Sequence, residues 1–303
     1  MRILVTGGTG FLGRQVSRAL RERRHTVIVG SRRADDARRM HFEYLLAPEA
    51  WLALLKDVAA VVNCVGILRE VGRATYERVH HEAPAALAAA CSRSGIRLVH
   101  VSALGLGSAA RSGFIASKRR GEAAVRASGA DYTIVRPSLL DGEGGFGARW
   151  MRRVAQWPVH FVPRDAVGRI AVLHVDDAAR AIARLVERGG IREAELGGAE
   201  WRTLEAHLAA LRHAGRPAAV VRVPAMAARV ASHGCDALHV TPFSFGHLEL
   251  LRRDNVPSPN LLPQLLQEWC GAETRAKGSE MTQSPSTVYA TMSTSMGSCA
   301  SMA

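Results

Sequence analysis

The sequence predicts an α/β fold built on a doubly wound parallel sheet, and three observations carry that prediction. Short runs rich in Val and Ile alternate with Ala- and Arg-rich amphipathic stretches through the first half of the chain. The runs are almost continuous in hydrophobicity, as strands covered on both faces must be. A glycine cluster follows the first run directly and opens the first amphipathic stretch. Strand, helix and strand at this rhythm imply right-handed crossovers and helices on both faces of one sheet.

In chain order, Ile3–Thr6, Thr26–Val29, Ala59–Cys64, Leu98–Ser102 and Tyr132–Val135 are predicted strands. Between them, Phe11–Arg23, Pro48–Leu55, Tyr76–Ser92 and Ser117–Ala127 have helical spacing. Phe161–Val162 and Ala171–His174 add shorter strands, and Asp176–Val186 a further helix. From Ile191 onward the pattern weakens into helices broken at Arg216-Pro217 and Val223-Pro224, which reads as a small substrate-side lobe. Leu261–Trp269 is a final amphipathic helix. Beyond it, Gly278–Ala303 is dominated by Ser, Thr, Met and Ala with Glu280 as its one charge. Such a segment has too little apolar bulk to offset chain entropy and is expected to be disordered. The expected division is a sheet domain over residues 1–190, a lobe over 191–272 and a tail over 273–303.

The chain has 303 residues, 48% hydrophobic and 22% charged, a globular profile. No run of about twenty apolar residues occurs, so no membrane span is expected. Met1–Thr6 enters a strand with no signal-peptide pattern, and the five cysteines (Cys64, Cys91, Cys235, Cys270, Cys299) are scattered and never spaced as C-x-x-C. These features predict a reducing, cytoplasmic setting with neither a disulfide framework nor a metal site. The net charge of +13 comes almost wholly from arginine, since Lys56, Lys118 and Lys277 are the only lysines. The arginines are spread along the chain and read as compositional, so no nucleic-acid partner is expected.

The strongest motif is Val5-Thr6-Gly7-Gly8-Thr9-Gly10-Phe11-Leu12-Gly13. Gly7 can make a tight turn, Gly10 admits a pyrophosphate to the backbone, and Gly13 lets the helix pack close to the sheet. The helix N-terminus then faces the anion. This is the context of a dinucleotide fingerprint, which makes the predicted sheet a Rossmann sheet.

The spacing is G-x-x-G-x-x-G, and with Thr6-Gly7-Gly8-Thr9-Gly10-Phe11-Leu12-Gly13 it resembles the extended and atypical short-chain dehydrogenase/reductase superfamily. The resemblance continues at Asn63-Cys64-Val65-Gly66, Val101-Ser102-Ala103, Arg136-Pro137-Ser138 and His174-Val175-Asp176-Asp177-Ala178. Within it the chain looks most like the branch of the nucleotide-binding accessory subunit of complex I. Gly66-Ile67-Leu68, Ser102-Ala103-Leu104-Gly105 and Leu250-Leu251-Arg252-Arg253-Asp254-Asn255-Val256 carry that finer likeness. The resemblance implies cofactor contacts from Thr6, Gly7, Gly10, Phe11, Leu12, Gly13, Cys64, Val65, Gly66, Lys118 and Pro137.

NAD-preferring sites carry an acid about 20 residues beyond the loop for the ribose hydroxyls. Here the second strand ends in Ser31, Arg32 and Arg33, with no acid before Asp35. A guanidinium fork pairs with a 2′-phosphate, so NADP(H) is favoured over NAD(H). The adenine-contacting Asp of relatives is replaced by the segment Phe42-Glu43-Tyr44-Leu45-Leu46.

Short-chain reductases pair a proton-transferring Tyr with a Lys four residues later and a Ser that orients the substrate oxygen. Lys118 stands at the lysine position, but Phe114 occupies the place of the Tyr. The serine is Ser102 or, one residue on, the position is Ala103. Tyr76 reads as core packing, with reach into the cleft as its alternative, and His80, His81 and His100 read as packing or surface residues. The expected function is therefore an NADP(H)-binding protein with weak or no Tyr-dependent dehydrogenase activity, the nucleotide being structural or redox-sensing. Two alternatives stand beside it: an active atypical NAD(P)H-dependent oxidoreductase or isomerase on a carbonyl, quinone or nucleotide-sugar substrate, and an NmrA-type regulatory module that binds a protein partner.

Overall fold

The structure, a computed structural model, describes residues 1–32, 39–213, 217–238 and 244–269, without the side chains of 237 and 238. Arg33 and the expected tail over 273–303 lie outside the described residues.

The main sheet has six parallel strands, β1 (Arg2–Thr6), β2 (Thr26–Gly30), β3 (Ala60–Asn63), β4 (Arg97–Val101), β5 (Tyr132–Pro137) and β9 (Glu193–Leu196). Their spatial order is β2-β1-β3-β4-β5-β9, so the chain reverses its direction of travel across the sheet at β1. Alternate residues of β1 to β5 feed two separate cores, whereas β9 adds Ala194 and Leu196 to one of them. Ile3, Val5, Ala60, Val62, Val99, Val101 and Val135 pack on one face with α1 (Phe11–Glu22), α6 (Val175–Glu187) and the helix over 262–269. Leu4, Val61, Leu98 and Ile134 pack on the other with α2 (Pro48–Leu52), α3 (Ala83–Ser94) and α4 (Gly113–Ala127). This is the two-residue period of a strand with both faces buried, expressed as a three-layer sandwich.

Three differences from the sequence reading have physical causes. The Phe42–Leu46 region holds a single tight turn at Phe42–Tyr44, its Phe42 ring edge-on to Trp51 at 5.2 Å, while Glu43 faces His41 at 3.3 Å. Helix α4 begins at Gly113, four residues earlier than expected, because Ser112 caps it by accepting the Ile115 N–H at 3.3 Å. Strand β9 lies past residue 190 and pairs with β5 from Ile134↔Glu193 to Pro137↔Leu196, extending the sheet by one strand.

The remaining chain forms smaller units. Strands β7 (Val159–Pro163) and β10 (Ala219–Val223) pair in parallel, as do β6 (Leu140–Asp141) and β8 (Leu173–His174). Helix α5 (Phe146–Ala155) packs Val154 and Ala155 against Leu208 of α7 (Leu204–Ala210). Helices α8 (Ala225–Leu238) and α9 (Phe245–Leu251) share a core of Ala228, Phe245 and Leu248. No helix among the described residues is long and apolar enough to cross a membrane.

Candidate functional site

The site begins where β1 and β3 end side by side. Thr6 is buried, and its hydroxyl donates to Asn63 Oδ1 at 2.9 Å, which also accepts the Val65 N–H at 3.1 Å. Asn63 Nδ2 donates to His100 Nδ1 at 3.1 Å, so one amide ties the ends of β1, β3 and β4 together. This is the point of reversed strand order, where open parallel sheets take ligands.

The glycine loop leaves that point through Gly7, at φ +68, where a Cβ would stand 3.1 Å from the Cys64 carbonyl carbon and oxygen. A Cβ at Gly13 would collide with the Gly7 carbonyl. Gly10 starts α1 with no side-chain cap, and no acid occupies the first turn. The N–H groups of Phe11 and Leu12 and the positive end of the helix dipole are thus offered to an anion. Phe11 and Arg14 are covered by the Gly142–Gly145 loop: a Cβ at Gly145 would stand 2.9 Å from the Phe11 ring. Arg14 Nη1 also donates to the Thr9 carbonyl at 3.0 Å. At the end of β2, Ser31 is buried and Arg32 is exposed. This cradle fits a dinucleotide pyrophosphate, because filling either glycine would close it.

Past β3, Cys64 is half-buried and burial pushes its thiol up to about 12, which leaves it protonated and unreactive. Gly66 follows, and a Cβ there would lie 3.9 Å from both His80 Nε2 and Lys118 Nζ. The glycine backbone, His80 and Lys118 therefore meet at one place. Lys118 has no hydrogen-bond or ion-pair partner among the described residues and lies 5.6 Å from the centroid of Phe114. Burial lowers its amine to about 8, with the Glu122 charge pulling the other way.

His80 is not free to act as a base. Its Nε2 accepts the Ile67 N–H at 3.1 Å, which places the proton on Nδ1, facing Ser117 Oγ at 3.2 Å. Ser117 Oγ in turn donates to the Phe114 carbonyl at 3.0 Å. Burial, then the charge of Lys118, holds the His80 imidazole well below its ordinary value. His100 is likewise lowered by burial, to about 4.

Tyr76, read from the sequence as a packing residue, lines the cleft instead. Its ring stacks on His80 at 5.5 Å and meets Phe114 edge-on at 5.7 Å, while its hydroxyl donates to the Leu68 carbonyl at 2.8 Å. Burial, with Asp236 and Glu70 nearby, raises its phenol to about 12. A wide π-type turn at Arg78–Glu82 lies between Tyr76 and α3. Such turns insert one extra residue and re-aim the side chains before them.

These rings form the wall of a cleft of about 620 Å³. Tyr76, Phe114 and Phe245 supply its aromatic surface, and Arg111, Arg229 and Asp236 its polar one. Sequence reasoning misses Phe245, Arg229 and Asp236, which come from the weakly patterned part of the chain.

Ser102 is buried, its hydroxyl close enough to Glu122 to help hold that carboxyl ionised yet outside hydrogen-bonding geometry. Ala103 next to it is half-exposed. Pro137 ends β5, its carbonyl accepting the Leu104 N–H at 3.0 Å. Arg136 beside it grips Glu122 through Nε at 2.8 Å and Nη2 at 2.6 Å. Among the described residues no group of three or more His, Cys, Asp or Glu is placed to hold a metal ion.

Comparison with known proteins places these features in context. The profile of the NAD dependent epimerase/dehydratase family matches residues 3–194. A ceramide reductase of Caulobacter vibrioides is 30% identical over 280 residues, covering 84% of this chain and 86% of that protein. The UDP-glucose 4-epimerase of Thermus thermophilus in complex with NAD superposes with a TM-score of 0.56 at 20% identity, covering 81% of this chain and 99% of the other. The dTDP-4-dehydrorhamnose reductase of Bacillus anthracis in complex with NADP superposes at 0.59 and 16% identity, over 74% of this chain and 85% of the other. The solved structures share the fold, and the likeness as a whole does not single out the complex I accessory branch.

Proposed function

The chain belongs to the NAD dependent epimerase/dehydratase family and has that family's nicotinamide dinucleotide as its cofactor, and from this premise we propose that it is an NADP(H)-dependent reductase of a ketone on a long-chain, ceramide-like amide. The observation that carries the reading is Lys118, a partnerless amine beside Gly66 and over Phe114. The ceramide reductase relative supports the substrate class, and the aromatic wall of Tyr76, Phe114 and Phe245 suits an apolar chain.

When bound, the dinucleotide would supply the hydride that the carbonyl carbon takes up. Thr6, Gly7, Gly10, Phe11, Leu12 and Gly13 would hold its pyrophosphate at the α1 N-terminus, Ser31 and Arg32 would hold the 2′-phosphate, and Val65, Gly66 and Pro137 would bound the nicotinamide end. Lys118 donates the proton that the carbonyl oxygen needs. An amine lowered toward neutrality is a competent acid, and the phenyl ring at 114 has no proton to give. Of the serine candidates, Ser102 is buried beside Glu122 with no hydrogen-bond partner among the described residues, and Ala103 has no hydroxyl.

The test is NADPH consumption against a ceramide whose secondary hydroxyl has been oxidised to the ketone. One NADPH should disappear per hydroxyl formed, and Lys118→Met should abolish this while the folded protein still binds nucleotide. Tight nucleotide binding without turnover on this ketone sinks the reductase reading. It would favour the second one, a nucleotide held for structure or sensing, which Phe114 and the open serine position motivate.

A further inference from the structure

Helix α5 carries a surface that the cofactor chemistry does not use. Phe146, Arg149 and Arg153 lie on it, and Trp157 extends it, the Trp157 N–H donating to the Val154 carbonyl at 3.0 Å to continue the last turn. At about 100° per residue Phe146, Arg149 and Arg153 fall within an arc of about 60°, and Trp157 follows two residues past the last helical one. Phe146 is 58% exposed and Trp157 46%, although large aromatics are the residues a globular surface ordinarily covers. Arg149 and Arg153 are exposed and have no ion-pair partner among the described residues, whereas Arg152, on the inner side, bonds Asp141 at 2.6 Å. The opposite side of the helix is accounted for, since Val154 and Ala155 pack on Leu208.

The apolar surface does not end at Trp157. Two residues later the chain enters β7, where Phe161 is 60% exposed and its register partner Val221 on β10 is 44% exposed. Phe146 opens the helix and Trp157 follows its end, with the unneutralised guanidinium groups of Arg149 and Arg153 between them in the chain.

We propose that this face docks on an anionic lipid bilayer. Phe146 and Trp157 enter the boundary between headgroups and acyl chains, and Arg149 and Arg153 pair with lipid phosphates. The charge pattern selects this occupant. A second copy of the chain meeting this face about a two-fold axis would set Arg149 and Arg153 against themselves. A bilayer supplies phosphate at the level of the arginines and hydrocarbon at the level of the rings. The loop Gly142–Gly145 that covers Phe11 runs directly into α5. The docked face therefore adjoins the cofactor cradle along the chain. The proposal stands on the surface alone and requires no turnover, so it can fail without the reductase reading failing.

The experiment is co-sedimentation of the full chain with phosphatidylcholine vesicles, with and without phosphatidylglycerol. Binding is expected only to the anionic vesicles and should weaken with salt. Each arginine near such a surface is worth about a fivefold change in affinity, so Arg149→Gln with Arg153→Gln should weaken binding about 25-fold. Arg93→Gln with Arg180→Gln removes the same charge from α3 and α6 and should change little. Trp157 emission should shift to the blue on binding, a shift absent in Trp157→Phe, and Phe146→Ser with Trp157→Ser should weaken binding at every salt concentration. Absence of binding, or equal losses in the two arginine pairs, overturns the proposal. So does a chain that ignores vesicles and retards a DNA duplex through Arg149 and Arg153, which would give the face to nucleic acid.

Discussion

The Lys118 amine stands 5.6 Å from the centroid of Phe114, poised over a ring that has no proton to transfer. In a reductase built on a Tyr and a Lys, the lysine assists a phenol. Here the phenol is gone and the lysine is left beside Gly66 and His80, at the lowered value of about 8 that burial imposes. The pH dependence of the reaction reports this directly. An acid must be protonated to act, so kcat/KM for ketone reduction should hold steady below about pH 8 and fall above it. A profile still flat about one and a half pH units beyond that point would remove Lys118 from the proton step.

Restoring the missing hydroxyl is the complementary change. Phe114→Tyr should raise kcat by at least about a hundredfold, the low end of what a positioned general acid contributes. The alkaline limb should shift at the same time, since the proton would then come from a Tyr–Lys pair. An unchanged rate with an unchanged profile would show that the ring's para position never meets the substrate.

The glycine cradle predicts how binding is lost. Gly13→Val places a side chain against the Gly7 carbonyl, and calorimetry should find neither NADPH nor NADH bound by the folded variant. Arg32→Glu should be selective instead. Losing a charge-assisted hydrogen bond to the 2′-phosphate is worth about 1.5–3 kcal/mol, or about 10- to 150-fold in NADPH affinity. NADH affinity should hardly move, and equal losses for both nucleotides would withdraw Arg32 from the 2′-phosphate.

Glu122 and Arg136 govern stability. Burial alone would raise the Glu122 carboxyl, but hydrogen bonds from Arg136, with Ser102 and the charge of Arg126 adding, hold it below its ordinary value. Breaking a buried pair from one side costs about 3–5 kcal/mol. Arg136 keeps Glu193 at 2.8 Å as a second partner, so Glu122→Gln should fall near about 3 kcal/mol in urea unfolding.

The same pair sets an acid limit. A carboxyl lowered in the folded state contributes stability that is fully present above its unfolded value and is lost as pH falls through the folded one. The wild-type protein should therefore lose stability below the ordinary carboxylate range more steeply than Glu122→Gln, as measured by urea midpoints across pH. Parallel curves would mean that the pair contributes no pH-dependent stability.

The parts legible in the sequence share a cause. Strands β1, β3, β4 and β5 are buried on both faces and edge strand β2 is partly so, so their apolar runs are continuous, and the glycine loop needs no partner to be recognised. Strand β9 escapes a search for such runs because Glu193 and Glu195 interrupt it. The alternation with Ala194 and Leu196 is nonetheless the signature of a strand half-covered at a sheet edge. The start of α4 hides behind Gly113, Phe114 and Ile115, poor helix formers that Ser112 and tertiary packing override. The cleft is least legible, because Phe245, Arg229 and Asp236 reach Phe114 only through contacts distant in the chain. Tyr76 resembles a core residue in the sequence because a lone aromatic on a helix carries no mark of which way it faces.

That facing depends on the π-type turn at Arg78–Glu82. Removing one residue from the turn would restore a regular helix and rotate everything before it by about 100°. Tyr76 would swing away from Phe114 and His80, and the bond from its hydroxyl to Leu68 would go with it. The cleft could thus be widened by the loss of a single codon, a route to new substrates that no point substitution at Tyr76 reproduces.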